Sequence, residues 1–155
     1  MNFTNNLEEA EKIEKIRNKM LKYILYKKRS EEDVRNKFAE EDENIVEDAI
    51  EYFKELNYIN DNDYIERAIK EFIALKKLSI KEVEYKICSK GINKNLVDDY
   101  ICNHKENMIQ YEIESAKAII IKKKASLEDN EIRDYLYKKG YMSETISIAF
   151  DEVNG

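Results

Sequence analysis

Ser30-Glu31-Glu32-Asp33, Ser79-Ile80-Lys81-Glu82 and Ser126-Leu127-Glu128-Asp129 stand 49 and 47 residues apart. Each places an acid three residues after a serine. In that pattern the serine oxygen accepts from the third backbone amide of a helix and the acid accepts from the serine amide. Val34 and Phe38 lie four and eight residues past the first serine. Val83 and Ile87 hold the same offsets in the second stretch and lead to Lys90-Gly91-Ile92. In the third, Ile132 and Leu136 lead to Lys139-Gly140-Tyr141 but arrive two residues late. A period of this length predicts a helical repeat. One short helical unit cannot bury its apolar face alone, so neighbours must stack, and the surface along the stack becomes the working surface.

Outward from these boxes, apolar residues recur every three or four positions, and the spacing predicts nine helices in three triplets. The first triplet runs over about 8–28 (Ala10, Ile13, Ile16, Met20, Tyr23, Ile24), 31–41 and 44–56, the last presenting Ile45, Ala49, Phe53 and Leu56. Asn57 suits the left-handed residue that ends a helix, and Asp61, Asn62 or Asp63 can cap the next. The second triplet covers about 63–77 (Tyr64, Ala68, Phe72, Leu75), a helix from Ser79 to Gly91, and 94–103. The third covers about 107–124, 127–139 and 143–153. The repeats divide as 1–58, 59–105 and 106–155, and residues 1–6 are expected to fray.

The 155 residues include no proline, three glycines and 39% charged side chains, which argues for an all-α protein with short turns. Cys88 and Cys102 form no CxxC, so a disulfide framework is not indicated and a reducing, cytoplasmic setting fits. No apolar run approaches a membrane span, and the first residues lack the order of an export signal. The net charge of −6 disfavours tight, sequence-independent binding to bare nucleic acid, where a basic face supplies most of the affinity. A protein partner is the expected ligand.

Three basic clusters close the first helix of each triplet: Lys27-Lys28-Arg29, Lys76-Lys77 and Lys122-Lys123-Lys124. Taken singly, each reads as a solvated helix C-terminus whose carbonyls favour cations. Taken together, their common phase predicts a strip of cations along one edge of the stack. The serine boxes read as caps, because their acids would repel a phosphate. Tyr64, Tyr100 and Tyr135 fall in or beside apolar stripes and read as core. Cys88, Cys102 and His104 give too few ligands for a structural zinc, and Glu40-Glu41-Asp42-Glu43 lacks the alternation of a calcium loop. With one histidine and no phosphate loop, nucleophile elbow or HExxH, the chain reads as a non-enzyme without cofactors or metal.

From Lys19 to Val153 the chain resembles the RecX family, bacterial modulators of the RecA recombinase. The resemblance rests on Tyr26-Lys27-Lys28-Arg29-Ser30-Glu31-Glu32-Asp33-Val34 and on Phe53-Lys54-Glu55-Leu56-Asn57-Tyr58-Ile59-Asn60-Asp61. Tyr64, Ala68, Lys76-Lys77 and Ser89-Lys90-Gly91-Ile92 extend it. It departs from the family where Asp42 and Asn57 replace usual glycines and where the basic character of the middle unit is thinned to Arg67, Lys70, Lys76 and Lys77. The resemblance implies a curved, elongated array of three three-helix repeats lying in the groove of the RecA filament on single-stranded DNA. There it would act as a monomer that restrains the recombinase and meets single-stranded DNA indirectly, through the filament. Lys27, Lys28, Arg29, Arg67, Lys70, Lys76, Lys77, Lys122, Lys123 and Lys124 are the candidate contacts. The competing expectations are a helical-repeat scaffold for another protein and a helix-turn-helix-like nucleic-acid binder, although the third helices of the first two triplets carry no basic recognition face.

Overall fold

The computed structural model describes residues 3–155, and among these it contains nine α-helices and no strand. They are α1 (Phe3–Tyr26), α2 (Glu31–Lys37), α3 (Glu43–Glu55), α4 (Asp61–Leu75), α5 (Ile80–Cys88), α6 (Lys94–Asn103), α7 (Lys105–Lys123), α8 (Asp129–Lys138) and α9 (Ser143–Asn154). Met1 and Asn2, where fraying is expected, lie outside the described residues. From Phe3 the chain is already helical, five residues ahead of the predicted start.

Two of the three serine boxes form as the sequence predicts. The Ser30 oxygen accepts from Asp33 N at 3.0 Å and Ser30 N donates to Asp33 Oδ2 at 3.1 Å. Ser79 and Glu82 exchange the same pair of bonds, both at 3.1 Å. The third box is misplaced in the sequence reading. Glu128, not Ser126, is the N-cap of α8, and its amide donates to Glu131 Oε1 at 3.3 Å. The reason is burial. A cap at Ser126 would send Asn130 and Asp134 into the core four and eight residues on, whereas a cap at Glu128 sends Ile132 and Leu136, both fully buried. With that correction the caps stand 49 and 49 residues apart, and the apparent slip is a two-residue extension of the α7–α8 joint.

The triplets share a second phase. Counting from the N-caps Asp42, Asn93 and Met142, the fourth residue on is Val46, Val97 or Ile146, and all three are buried. Turns obey the left-handed rule where it matters. Asn57 has φ 64° and closes α3 with Tyr58 N donating to Phe53 O at 2.9 Å; Gly91 and Gly140 adopt φ 85° and 96°. The α4 cap is Asn60, whose side chain accepts from Asp63 N at 3.2 Å, one residue before the predicted candidates.

The chain condenses into two compact units. The first holds α1 to α3, the start of α4 through Tyr64, and residues 90–92. Its core is Ile16, Met20 and Ile24 of α1 against Val34 and Phe38, with Val46, Ile50 and Phe53 of α3. The second holds the rest of α4, all of α5, and α6 to α9. There Ala116 and Ile120 of α7 meet Ile132 and Leu136 of α8 and Ala149 and Phe150 of α9. Each such aliphatic side chain, fully buried, contributes about 1.5–3 kcal/mol before the entropy of ordering is charged against it.

In α4 the predicted stripe of Tyr64, Ala68, Phe72 and Leu75 is not the buried one. Ile65 and Ile69 are buried, and Leu75 is 57% exposed. The helix is apolar on two adjacent faces, so periodicity alone could not choose between them.

Candidate functional site

Two devices recur where one triplet meets the first helix and glycine turn of the next. The first is a carboxylate on the leading amide of the middle helix. Asp61, opening α4, accepts from Glu31 N of α2 at 2.9 Å. Glu112, in α7, accepts from Ile80 N of α5 at 3.0 Å, and its other oxygen accepts from Thr145 of α9 at 2.7 Å. Helix N-terminal amides lack intrahelical partners and attract negative charge, so the carboxylate satisfies a donor and the helix dipole together. Glu112 is fully buried, whereas burial of the half-exposed Asp61 holds its carboxyl above the usual range. Around Glu112 the polar groups are satisfied in a chain. Tyr111 donates to Leu78 O at 2.6 Å, and Ser115 lies between Leu78 O at 3.1 Å and the Tyr141 hydroxyl at 2.7 Å. Burial pushes the Tyr141 hydroxyl up, so it stays protonated. Sequence reasoning missed Glu112; one acid among 33 carries no signal of its own.

The second device is a glycine set against the first turn of the preceding middle helix. A Cβ at Gly91 would overlap the Cβ (2.8 Å) and Cγ of Glu32 in α2. At Gly140 it would come within 3.1 Å of Lys81 in α5. The same geometry falls 59 residues on from each partner.

These devices fix the joints that carry the basic clusters. In the first unit, Lys27, Lys28 and Arg29 follow the end of α1 and do not close it as predicted, since α1 stops at Tyr26. The Arg29 guanidinium stacks 3.8 Å from the Tyr23 ring and donates to Tyr23 O at 3.3 Å, and Lys28 pairs with Asp63 at 3.7 Å. Lys27 is exposed. In the second unit Arg67 and Lys70 are exposed on α4, with Lys70 paired to Glu66 at 3.1 Å.

Lys76, Lys77, Lys122 and Lys123 behave differently. They line one cleft of about 580 Å³, and a fifth lysine, Lys139, joins them. The remaining lining includes Leu75, Ala118, Ile119 and Tyr135. The ammoniums of Lys123 and Lys139 sit 4.1 and 5.3 Å from the centre of the Tyr135 ring. Lys139 also faces Glu82 at 3.8 Å, while Lys76, Lys77 and Lys122 meet no carboxylate among the described residues. Lys124 turns away to the Asn154 side chain. Two of the three clusters thus share one cleft, and Lys139, placed by the turn at Gly140, was not foreseen.

A second cleft in this unit, about 700 Å³, is lined by the exposed Tyr85 and Tyr137 with Lys81, Lys86 and Lys138. It is larger, but its charge is partly spent: Glu82 lies in its wall and Lys138 pairs with Asp134 at 2.9 Å. Neither cleft presents a nucleophile beside a base. His104, the one histidine, is stacked on Tyr100 at 4.0 Å with its Nδ1 on Tyr100 O. No helix among the described residues is long and apolar enough to cross a membrane.

No family model matches the chain. Among curated proteins it is similar to the regulatory protein RecX of Clostridium beijerinckii, at 30% identity over 155 residues, 95% of this chain and 72% of that protein. It is also similar to the regulatory protein RecX of Clostridium perfringens, at 29% identity over 82% of this chain and 63% of that protein. Among solved structures, RecX from Lactobacillus salivarius superposes with a TM-score of 0.78 at 22% identity, covering 94% of this chain and 98% of that one. Another regulatory protein RecX superposes at 0.81 with 21% identity, over 97% and 80%. These two carry the fold, and the C. beijerinckii protein, matched over nearly three quarters of its length, carries the kinship. The chain belongs to the RecX family of regulatory proteins.

Proposed function

We propose that the protein binds the RecA filament assembled on single-stranded DNA and restrains recombinase activity, acting in the cytoplasm as a monomer and by contact alone. The observation that supports this reading is the cleft in which Lys76, Lys77, Lys122, Lys123 and Lys139 converge, and of the five ammoniums only that of Lys139 meets a carboxylate among the described residues. Cations left without partners in a fold of net charge −6 are available to an acidic surface, and a local field of this kind governs encounter and specificity. A regulator of this sort needs no reacting group, which agrees with the family's regulatory name.

Lys27, Arg67, Lys70 and Lys124 belong to the contact set only as outlying charges. Lys28 and Arg29 are engaged within the first unit. The test is a RecA ATPase and strand-exchange assay on single-stranded DNA. Addition of the protein is expected to slow both reactions. A K76Q/K77Q/K122Q variant is expected to need about tenfold more protein for the same effect, whereas K28Q/R29Q changes it less than about twofold. Unchanged rates at several-fold excess over recombinase would remove the proposal and leave a helical scaffold for another partner.

A further inference from the structure

The lining of the lysine cleft is mixed. Leu75, 57% exposed, stands in it with Ala118 and Ile119, so apolar surface lies open beside free ammoniums. Such a lining matches a ligand that is both acidic and apolar along a short length.

Two further observations narrow the ligand. Tyr135, the one aromatic ring in the cleft, is already engaged by the ammoniums of both Lys123 and Lys139, so a stacking nucleobase would compete with them for it. The net charge of −6 of the whole chain also disfavours a long phosphate chain. Backbone geometry supplies the second. Among the described residues the left-handed positions are Asn57, Gly91, Gly140 and Lys76, the last at φ 49°. The first three are residue types that accept this region; lysine is not, and a residue held at a cost to the backbone points to a use for its side chain.

We propose that this cleft is the docking site for a short acidic peptide segment of a protein partner, in which glutamates or aspartates flank one leucine-like or aromatic side chain. The carboxylates meet Lys76, Lys77 and Lys122, and the apolar side chain lies against Leu75 and Ile119. The inference deepens the proposed function by naming the chemistry of what is bound, and rests on that reading only for the source of the segment.

The test uses the full chain without recombinase. A fluorescein-labelled decapeptide of glutamates with one central leucine is titrated and read by anisotropy, beside an oligothymidylate of twenty nucleotides. The peptide is expected to bind and to weaken with salt. K76Q/K77Q/K122Q is expected to lower its affinity about tenfold, and replacing the leucine by serine about fivefold. K81Q/K86Q, in the neighbouring cleft, changes it less than about twofold. K76G is expected to raise the melting temperature while weakening the peptide, because glycine relieves the left-handed backbone and removes the cation. No peptide binding, equal binding by the triple variant, or tighter binding of the oligonucleotide overturns the proposal. Peptide binding with no response in the recombinase assay sinks the filament reading and leaves the cleft assignment standing. A recombinase response with no peptide binding does the reverse.

Discussion

The two compact units use the same devices with different side chains. In the first, the amide of Glu31 is held by the half-exposed Asp61, Gly91 is pressed against Glu32, and two residues of the basic cluster are consumed: Arg29 lies on Tyr23 and Lys28 on Asp63. In the second, the amide of Ile80 is held by the buried Glu112, Gly140 has more room beside Lys81, and the basic clusters stay open to solvent. Repetition in sequence therefore fixes where a device stands, and the neighbours decide whether it serves the fold or the surface.

That contrast has measurable edges. Glu112→Ala strands the Ile80 amide and the Thr145 hydroxyl in a buried network, and should cost about 3 to 4 kcal/mol in urea unfolding. Asp61→Ala, at a half-exposed site, should cost about 1 kcal/mol. Equal losses would show that depth is not what separates the two ties. Next, Gly91→Ala must both strain a left-handed residue and displace Glu32, for about 2 to 3 kcal/mol. Gly140→Ala carries the same left-handed strain but meets only a tight contact, and should lose about 1 to 2 kcal/mol. If circular-dichroism melts rank the two glycines the other way, the closer packing assigned to the first unit is wrong.

Smaller effects probe the cations. Arg29→Ala removes a guanidinium packed on an aromatic ring and should destabilise by about 1 kcal/mol. Lys77→Ala should stay within about 0.5 kcal/mol, as exposed substitutions do. A larger loss at Lys77 would mean its cation supports the fold and is not free for a partner.

The smallest effect is in pH, and it has two signs within the first unit. Burial raises the Asp61 carboxyl above its ordinary 3.8, so the folded state holds that proton more tightly than the unfolded one. Its contribution is full below 3.8 and is lost as pH rises through the raised value. Glu47 is lowered below its ordinary 4.5 by the hydrogen bond from Arg35, which donates from Nε at 2.6 Å and Nη2 at 3.1 Å. Its contribution is present above 4.5 and is lost as pH falls through the lowered value. Urea midpoints taken from pH 7 downward should show Asp61→Asn removing a gain on acidification and Glu47→Gln removing a loss at lower pH. The same sign for both variants would contradict the environments described.

Much of this was legible in the chain because the signals are local. Ser30 and Ser79 cap where their acids allow it, and Val34, Phe38, Val83 and Ile87 enter the core at offsets set by 3.6 residues per turn. The third cap was misread because Ser126 is a better local cap than Glu128, and only the need to bury Ile132 and Leu136 overrules it. The α4 stripe was misread for a related reason, since two apolar faces compete and only the packing partner selects Ile65 and Ile69. At the candidate site, the positions of Lys76, Lys77, Lys122 and Lys123 followed from repeat phase. Their meeting with Lys139 and Tyr135 did not, because Lys77 and Lys139 are 62 residues apart in sequence.

By itself, the sequence determined the helices, the two clearest caps and the phase at which basic clusters recur, because capping and amphipathic periodicity act within a few residues. Tertiary structure alone decided which face of α4 is buried, that Glu112 is an internal tie, and that one set of lysines is left unpaired while another is absorbed. Those outcomes depend on charges and apolar surfaces brought together from distant segments, where burial and partner geometry, not local propensity, set the free energy.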